Sequence, residues 1–193
     1  MKSVAVVILA AGSASRFGGI KQLAKINDKS MLQTVVDNCQ QLEGEDLYLV
    51  LGGYYEEIRQ SIELDRSRII FNANWQGGMG ISIRMAVEEL QKDYEGILFL
   101  AGDQPMVRSD QLMQLIQRWR QSPQKICAAQ YKDTLGIPAI FPREYYSKLM
   151  LLEGDQGAKK LLAENTNNIE FVEIAEAAID IDVPLDIARL SCD

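Results

Sequence analysis

An α/β fold is predicted for this chain from two observations. Short continuous apolar runs alternate with stretches whose apolar residues recur every three or four positions, and glycine-containing or acidic segments stand where several of those runs end. The 193 residues, 47% hydrophobic and 24% charged, suffice for one sizeable core. No linker, repeat or low-complexity tract divides them, so residues 1–193 are read as a single domain.

Val4 to Ala10 reads as a fully buried strand, and Ser30 as the N-cap of a helix reaching about Leu42. Leu47 to Leu51 is a second strand, stopped by Gly52 and Gly53 and followed by a short helix over Glu56 to Ile62. A short strand, Arg68 to Phe71, leads through a loop from Asn72 to Gly80 into a helix from Ser82 to Leu90. Gly96 to Leu100 is again an apolar strand, with Asp103 just past its carboxyl end. A helix from Ser109 to about Gln121 and a strand from Ile126 to Tyr131 follow. Beyond them the pattern gives an extended Ile137 to Phe141, helices over Arg143 to Leu151 and after Gly157, and strands near Phe171 and Ile179. Pro184 opens a last short helix.

Composition excludes several chemistries. The chain has no histidine, which removes Ser-His-Asp and Cys-His catalysis and imidazole-ligated metals together. Cys39, Cys127 and Cys192 are far apart and odd in number, so neither a disulfide framework nor a zinc site is expected, and Cys39 continues the apolar stripe Leu32, Val35, Leu42. A formal charge of −7 argues against nucleic acid as a partner. The absence of a long apolar run or a secretory pattern argues against a membrane, and a cytoplasmic location is expected.

Three segments carry chemistry. In Leu9-Ala10-Ala11-Gly12-Ser13-Ala14-Ser15-Arg16-Phe17-Gly18-Gly19-Ile20-Lys21, small residues let backbone N–H groups approach a ligand, and Arg16 and Lys21 concentrate positive charge as a polyphosphate requires. It is not a P-loop, because Phe17 stands where Gly-Lys-Ser/Thr would begin; Gly78-Met79-Gly80 is not a dinucleotide fingerprint, because Ile83 takes the last glycine's place. In Gly102-Asp103-Gln104-Pro105, the carboxylate at a strand's carboxyl end is placed to hold Mg2+, or else to cap the helix at Ser109. In Ile179-Asp180-Ile181-Asp182-Val183-Pro184, strand alternation puts Asp180 and Asp182 on one face, turned either to water or to a metal.

These residues resemble the MobA-like nucleotidyltransferase family, and most closely its molybdenum cofactor cytidylyltransferases. The pattern L-A-A-G-x-S-x-R-x-G-x-x-K is met from Leu9 to Lys21, with Ser15 in the serine position. Further matches are Asn74-Trp75, Gly78-Met79-Gly80 with Ser82, Gly102 to Pro105, Gly136-Ile137-Pro138 with Phe141, Gly154 to Ala158, and Asp180 to Asp186. The resemblance implies a three-layer α/β/α sandwich around a mostly parallel mixed sheet, of the nucleotide-diphospho-sugar transferase type. It implies that Leu9, Ala10, Ala11, Gly12 and Ser13 hold the nucleotide, with Gly78, Gly80 and Ser82 against the base. Arg16, Lys21 and Asp103 would be catalytic, Asp103 and Asp182 would hold Mg2+, with Asp180 the alternative to Asp182 as second ligand, and Pro138, Gly154, Asp155 and Gly157 would face the pterin. The implied substrates are CTP, favoured by Ala11, and molybdopterin, with transient contact to a molybdoenzyme or its maturation factor. The alternatives are GTP or another NTP with a different phosphorylated acceptor, and a non-catalytic nucleotide- or molybdopterin-binding delivery protein. Ile81, Val183 and Leu185 depart from the family pattern.

Overall fold

The computed structural model describes residues 2–13, 17–65, 67–155 and 157–190. In chain order the elements are β1 (Lys2–Leu9), β2 (Lys25–Ile26), β3 (Lys29–Ser30), α1 (Met31–Gln40), β4 (Asp46–Leu51), α2 (Tyr55–Ser61), β5 (Ser67–Phe71), α3 (Met79–Leu90) and β6 (Tyr94–Ala101). There follow α4 (Ser109–Gln121), β7 (Ile126–Tyr131), β8 (Thr134–Pro142), α5 (Tyr146–Leu149), α6 (Lys159–Glu164), β9 (Ile169–Glu173) and α7 (Pro184–Leu190). Seven strands form one sheet in the order β5-β4-β1-β6-β8-β7-β9, and β2 pairs with β3 apart from it. Within the seven-stranded sheet only β8 runs against its neighbours, β6 and β7, and the other pairings are parallel; β2 and β3 are antiparallel.

Alternation along β1 divides the interior into two cores. Val4, Val6 and Ile8 pack with Leu32, Val35 and Cys39 of α1, Ile58 of α2 and Leu112, Leu115 and Trp119 of α4. Ala5, Val7 and Leu9 pack on the opposite face with Ile83, Ala86 and Val87 of α3, Leu149 of α5 and Leu161 and Leu162 of α6. The result is the expected three-layer α/β/α arrangement around a mostly parallel mixed sheet. β1 and β6 are buried on both sides, which explains why both read as unbroken apolar runs. Gly96 in β6 leaves room for Trp119, whose ring would stand 2.8 Å from a Cβ placed there.

Ser30 caps α1 as expected, its Oγ accepting from the Gln33 N–H at 3.3 Å. Burial pushes the Cys39 thiol far up, in keeping with a packing role. Several elements differ from expectation. The helix foreseen from Arg143 is a 3-10 turn, Arg143–Tyr145, followed by the four residues of α5. α3 begins at Met79, three residues early. No strand forms around Ile179. A 3-10 turn, Ala175–Ala178, precedes it, and the Ile181 N–H donates to the Asp103 carbonyl at 3.2 Å instead of joining a ladder, so the strand-face argument for Asp180 and Asp182 does not apply. Among the described residues no helix is long and apolar enough to cross a membrane.

Candidate functional site

The carboxyl ends of β1 and β6 meet where the sheet's connections diverge, β4 lying on one side of β1 and β6 on the other, the crevice at which open α/β sheets take ligands. Leu9 is in register with Ala101, and the Gly102 N–H donates to the Leu9 carbonyl at 2.9 Å. Gly102 is required there because a Cβ would stand 2.9 Å from the Ala10 Cβ. The loop after β1 and the turn after β6 therefore open from one level.

At the start of that loop the Ala10 N–H donates to the Val50 carbonyl at 3.0 Å, and the carbonyls of Ala10, Ala11 and Gly12 are all engaged. The Ala11 carbonyl accepts from the Gly53 N–H at 2.9 Å, while the Ala10 and Gly12 carbonyls both accept from Gln22 Nε2, at 3.1 and 2.6 Å. Among the described residues no partner is found for the N–H groups of Ala11, Gly12 and Ser13. A row of unengaged backbone N–H groups suits an anion.

Lys21 lies in the 3-10 turn Lys21–Leu23, buried, with Nζ donating to Asp103 Oδ2 at 2.9 Å and to Asp182 Oδ1 at 2.8 Å. Burial pulls its pKa down, but the charges and hydrogen bonds of Asp103 and Asp182 outweigh that and hold it above the usual lysine value. Asp103 does not cap α4, whose first turn is closed by Gln111 Oε1 accepting from the Arg108 N–H at 3.0 Å. Asp182 is delivered by the buried Ile181 and by Asp186, whose Oδ2 accepts from the N–H groups of Asp182 and Val183 at 2.9 and 3.0 Å. Asp180 does not bond to Lys21. Its carboxyl is pushed above the ordinary carboxylate range by partial desolvation and then by the charge of Asp103.

Both carboxylates reach one nitrogen, so Asp103 and Asp182 face a common point. Among the described residues no group of three or more acidic or thiol side chains could enclose a metal. The donor set fits Mg2+, which completes its shell from water and substrate phosphate oxygens.

Two adjoining cavities flank the loop and share Leu9, Gly12 and Met79. One, about 200 Å³, is lined also by Ala10, Lys21, Gln22 and Asp103. The other, about 320 Å³, is lined by Ala11, Trp75, Gln76, Gly78, Ser82 and Asp155. Trp75 reaches it by lying on Gly52 and Gly53, where a Cβ on Gly52 would meet the Trp75 Cβ at 2.4 Å. The buried Asn72 donates to Ser82 Oγ at 3.0 Å and accepts from the Asn74 N–H at 2.9 Å, tying the start of α3 to the turn that carries Trp75.

The residues expected on the base side and on the pterin side are in direct contact. The Gly80 N–H donates to the Gly154 carbonyl at 2.9 Å, and a Cβ on Gly78 would stand 2.4 Å from that carbonyl. A Cβ on Gly157 would stand 2.9 Å from Met79 Sδ. Pro138 is buried within β8 and lines neither cavity; its neighbour Ile137 is joined to the site through Gln104 Nε2, which also donates to the Ala177 carbonyl at 2.9 Å. Arg16, with Ala14 and Ser15, lies outside the described residues. Gln22, Trp75 and Asn72 were given no site role from sequence. The only signal for Gln22 was its place beside Lys21.

Comparison with known proteins gives a match to the MobA-like NTP transferase domain over residues 6–169. The crystal structure of Rv0371c from Mycobacterium tuberculosis H37Rv superposes with a TM-score of 0.86 at 27% identity, covering 100% of both chains; its complex with manganese gives 0.81 over 97% of each. CMP:2-keto-3-deoxy-manno-octonic acid synthetase complexed with CTP has the same fold, with a TM-score of 0.77 at 18% identity over 98% of this chain and 97% of that one. A curated relative, the bifunctional protein GlmU of Marinobacter nauticus, is 35% identical over 118 residues, which are 60% of this chain and 26% of the relative. The chain spans between 26% and 33% of the length of the curated GlmU relatives it matches.

Proposed function

Because the chain belongs to the MobA-like NTP transferase family, whose reaction is nucleotidyl transfer, we propose that it transfers CMP from CTP to the terminal phosphate of molybdopterin and releases pyrophosphate. The observation that carries this reading is the Lys21 ammonium held between Asp103 and Asp182 beside the row of unengaged N–H groups. Support for CTP comes from the Leu9-Ala10-Ala11-Gly12 pattern that marks the cytidylyltransferases in the resemblance described above.

In the reaction an oxygen of the acceptor phosphate bonds to the α-phosphorus of CTP, the bond from that phosphorus to the bridging oxygen of the β-phosphate breaks, and pyrophosphate leaves with the electron pair. A phosphate monoester, with a second pKa of about 6, is mostly dianionic at pH 7 and needs no general base. A chain without histidine suits such a nucleophile. The loop N–H groups bind phosphate oxygens, and Lys21 and Arg16 offset the charge that builds on them. Asp103 and Asp182 would hold Mg2+, which when bound neutralises phosphate charge; the manganese complex of Rv0371c supports a divalent ion here. Ala11, Ser82 and Trp75, which line one cavity, would flank the cytosine, and Gly154, Asp155 and Gly157, beside Gly78 and Met79, would face the acceptor. The reaction would belong to the cytoplasm, its product passing to a molybdoenzyme or its maturation factor.

The test is pyrophosphate release with Mg2+ and each of CTP, GTP, UTP and ATP, with and without molybdenum-loaded molybdopterin. Release with CTP plus the pterin is expected. Release with another nucleotide refutes the choice of CTP, and binding of CTP without release under any pairing favours a delivery protein.

A further inference from the structure

The loop after β1 is shaped by a side chain that the proposed mechanism does not use. Gln22 is 6% exposed and lines the cavity that holds Lys21 and Asp103, yet its Nε2 is directed away from any ligand, to the carbonyls of Ala10 and Gly12. In a trans peptide the carbonyl of one residue and the N–H of the next point in opposite directions, and both peptides here are trans. Drawing the Ala10 and Gly12 carbonyls toward Gln22 therefore turns the N–H groups of Ala11 and Ser13 away from it. Those are two of the three donors left without a partner.

We infer that Gln22 is a positioning residue for the nucleotide: its amide clasps two carbonyls of the loop and so aims the opposing N–H groups at phosphate. The inference rests on the nucleotide-binding reading above. A packing role alone does not account for the residue. Gln22 Oε1 is buried without a hydrogen-bond partner, a desolvation cost that an apolar side chain of similar volume would avoid. The amide is worth that cost because its nitrogen carries two N–H donors and so holds both carbonyls at once without adding a charge. The neighbouring carbonyls of Leu9 and Ala11 are held by backbone N–H groups of Gly102 and Gly53, so Gln22 supplies the only side-chain restraint found on the 9–12 carbonyls among the described residues.

The test uses Gln22→Met, close in volume and without a donor, with calorimetric titration of pyrophosphate and of CTP in the presence of Mg2+. The variant is expected to raise the Kd for pyrophosphate at least about tenfold, and the KM for CTP with it, as loss of aligned donors to an anion would. The kcat at saturating CTP and the KM for the acceptor stay within about twofold of wild type, a split that simple loss of folded protein would not produce. Unchanged pyrophosphate affinity in a folded Gln22→Met overturns the inference and leaves the function standing. Wild-type protein that binds neither pyrophosphate nor any of the four nucleotides overturns both. If the variant does not fold, amide resonances of the wild type decide: on adding pyrophosphate with Mg2+, the N–H signals of Ala11, Gly12 and Ser13 shift while the Gln22 side-chain amide stays protected from exchange. Absence of those shifts, or a Gln22 amide that exchanges freely, overturns it.

Discussion

Lys21→Met removes the ammonium that joins Asp103 to Asp182 while keeping most of the side chain's volume. A charge-assisted hydrogen bond of a shielded group contributes about 1.5–3 kcal/mol, and an exposed ion pair about 0–1 kcal/mol. The Lys21 side chain is 9% exposed and Asp103 30%, so that contact falls in the first class; Asp182, 61% exposed, falls in the second. The substitution should lower unfolding stability at pH 7 by about 2 kcal/mol, read by urea unfolding followed by tryptophan fluorescence. Turnover, read as pyrophosphate release, should fall at least about tenfold, since one charge contact at the transition state is worth more than about 1.4 kcal/mol. The pH dependence has a definite sign. The folded pKa of Lys21 lies above its ordinary 10.5, so the folded state holds this proton more tightly; the stabilisation is complete below 10.5 and is lost as pH rises through the folded value. The gap between wild type and variant should accordingly narrow above pH 10.5. Wild-type turnover in Lys21→Met, or a stability gap that persists at strongly alkaline pH, refutes the reasoning.

Removing the two aspartates together, Asp103→Asn with Asp182→Asn, should abolish the rise in Tm that Mg2+ or Mn2+ gives the wild type, whereas Asp180→Asn should retain it; thermal unfolding with and without the ion distinguishes them. Gly78→Ala should cost at least about 2 kcal/mol in chemical denaturation, because the position has φ +88° and its Cβ would stand 2.4 Å from the Gly154 carbonyl. Gly12→Ala meets nothing within 4 Å and should leave stability within about 0.5 kcal/mol while weakening CTP binding in titration, the open space being where the ligand would lie. In Cys192→Ser protein no thiol should react with Ellman's reagent until denaturant is added, because burial pushes Cys39 far up and Cys127 to about 12.

The layers were legible from sequence because their cause is local. β1 and β6 are buried on both faces and α1 on one stripe, and each condition leaves its own period in the chain. Residues 179–183 misled for a physical reason. Their alternation comes from the single buried anchor Ile181 and from a turn held by Asp186, with no partner strand beside them. Lys21 and Asp103 could be named from sequence one at a time, as a cation in a glycine-rich loop and a carboxylate past the end of an apolar strand, while Asp182 was set apart from Asp180 only by the family resemblance. Their meeting could not, since it depends on β1 and β6 being neighbours and on Ile181 crossing back to the Asp103 carbonyl. Gln22 left almost no trace because its work is done by one amide bonded to its own chain about ten residues away, which neither periodicity nor charge reveals.

The same geometry reconciles an acidic protein with an anionic substrate. One ammonium against two carboxylates leaves the cluster formally one charge negative, in a chain that already carries −7. A bare triphosphate would meet unfavourable charge there, while neutral N–H groups of the loop would still attract its oxygens. On the proposed function, divalent ion and triphosphate would therefore bind together: Asp103 and Asp182 would hold the ion, which would supply the charge they now share with Lys21, and the Lys21 ammonium would be left for phosphate. CTP affinity should rise steeply with Mg2+ in the wild type, and Asp103→Asn should flatten that dependence while strengthening the weak binding of metal-free CTP. Titrations with and without chelator measure both arms, and metal-independent CTP binding by the wild type would refute the coupling.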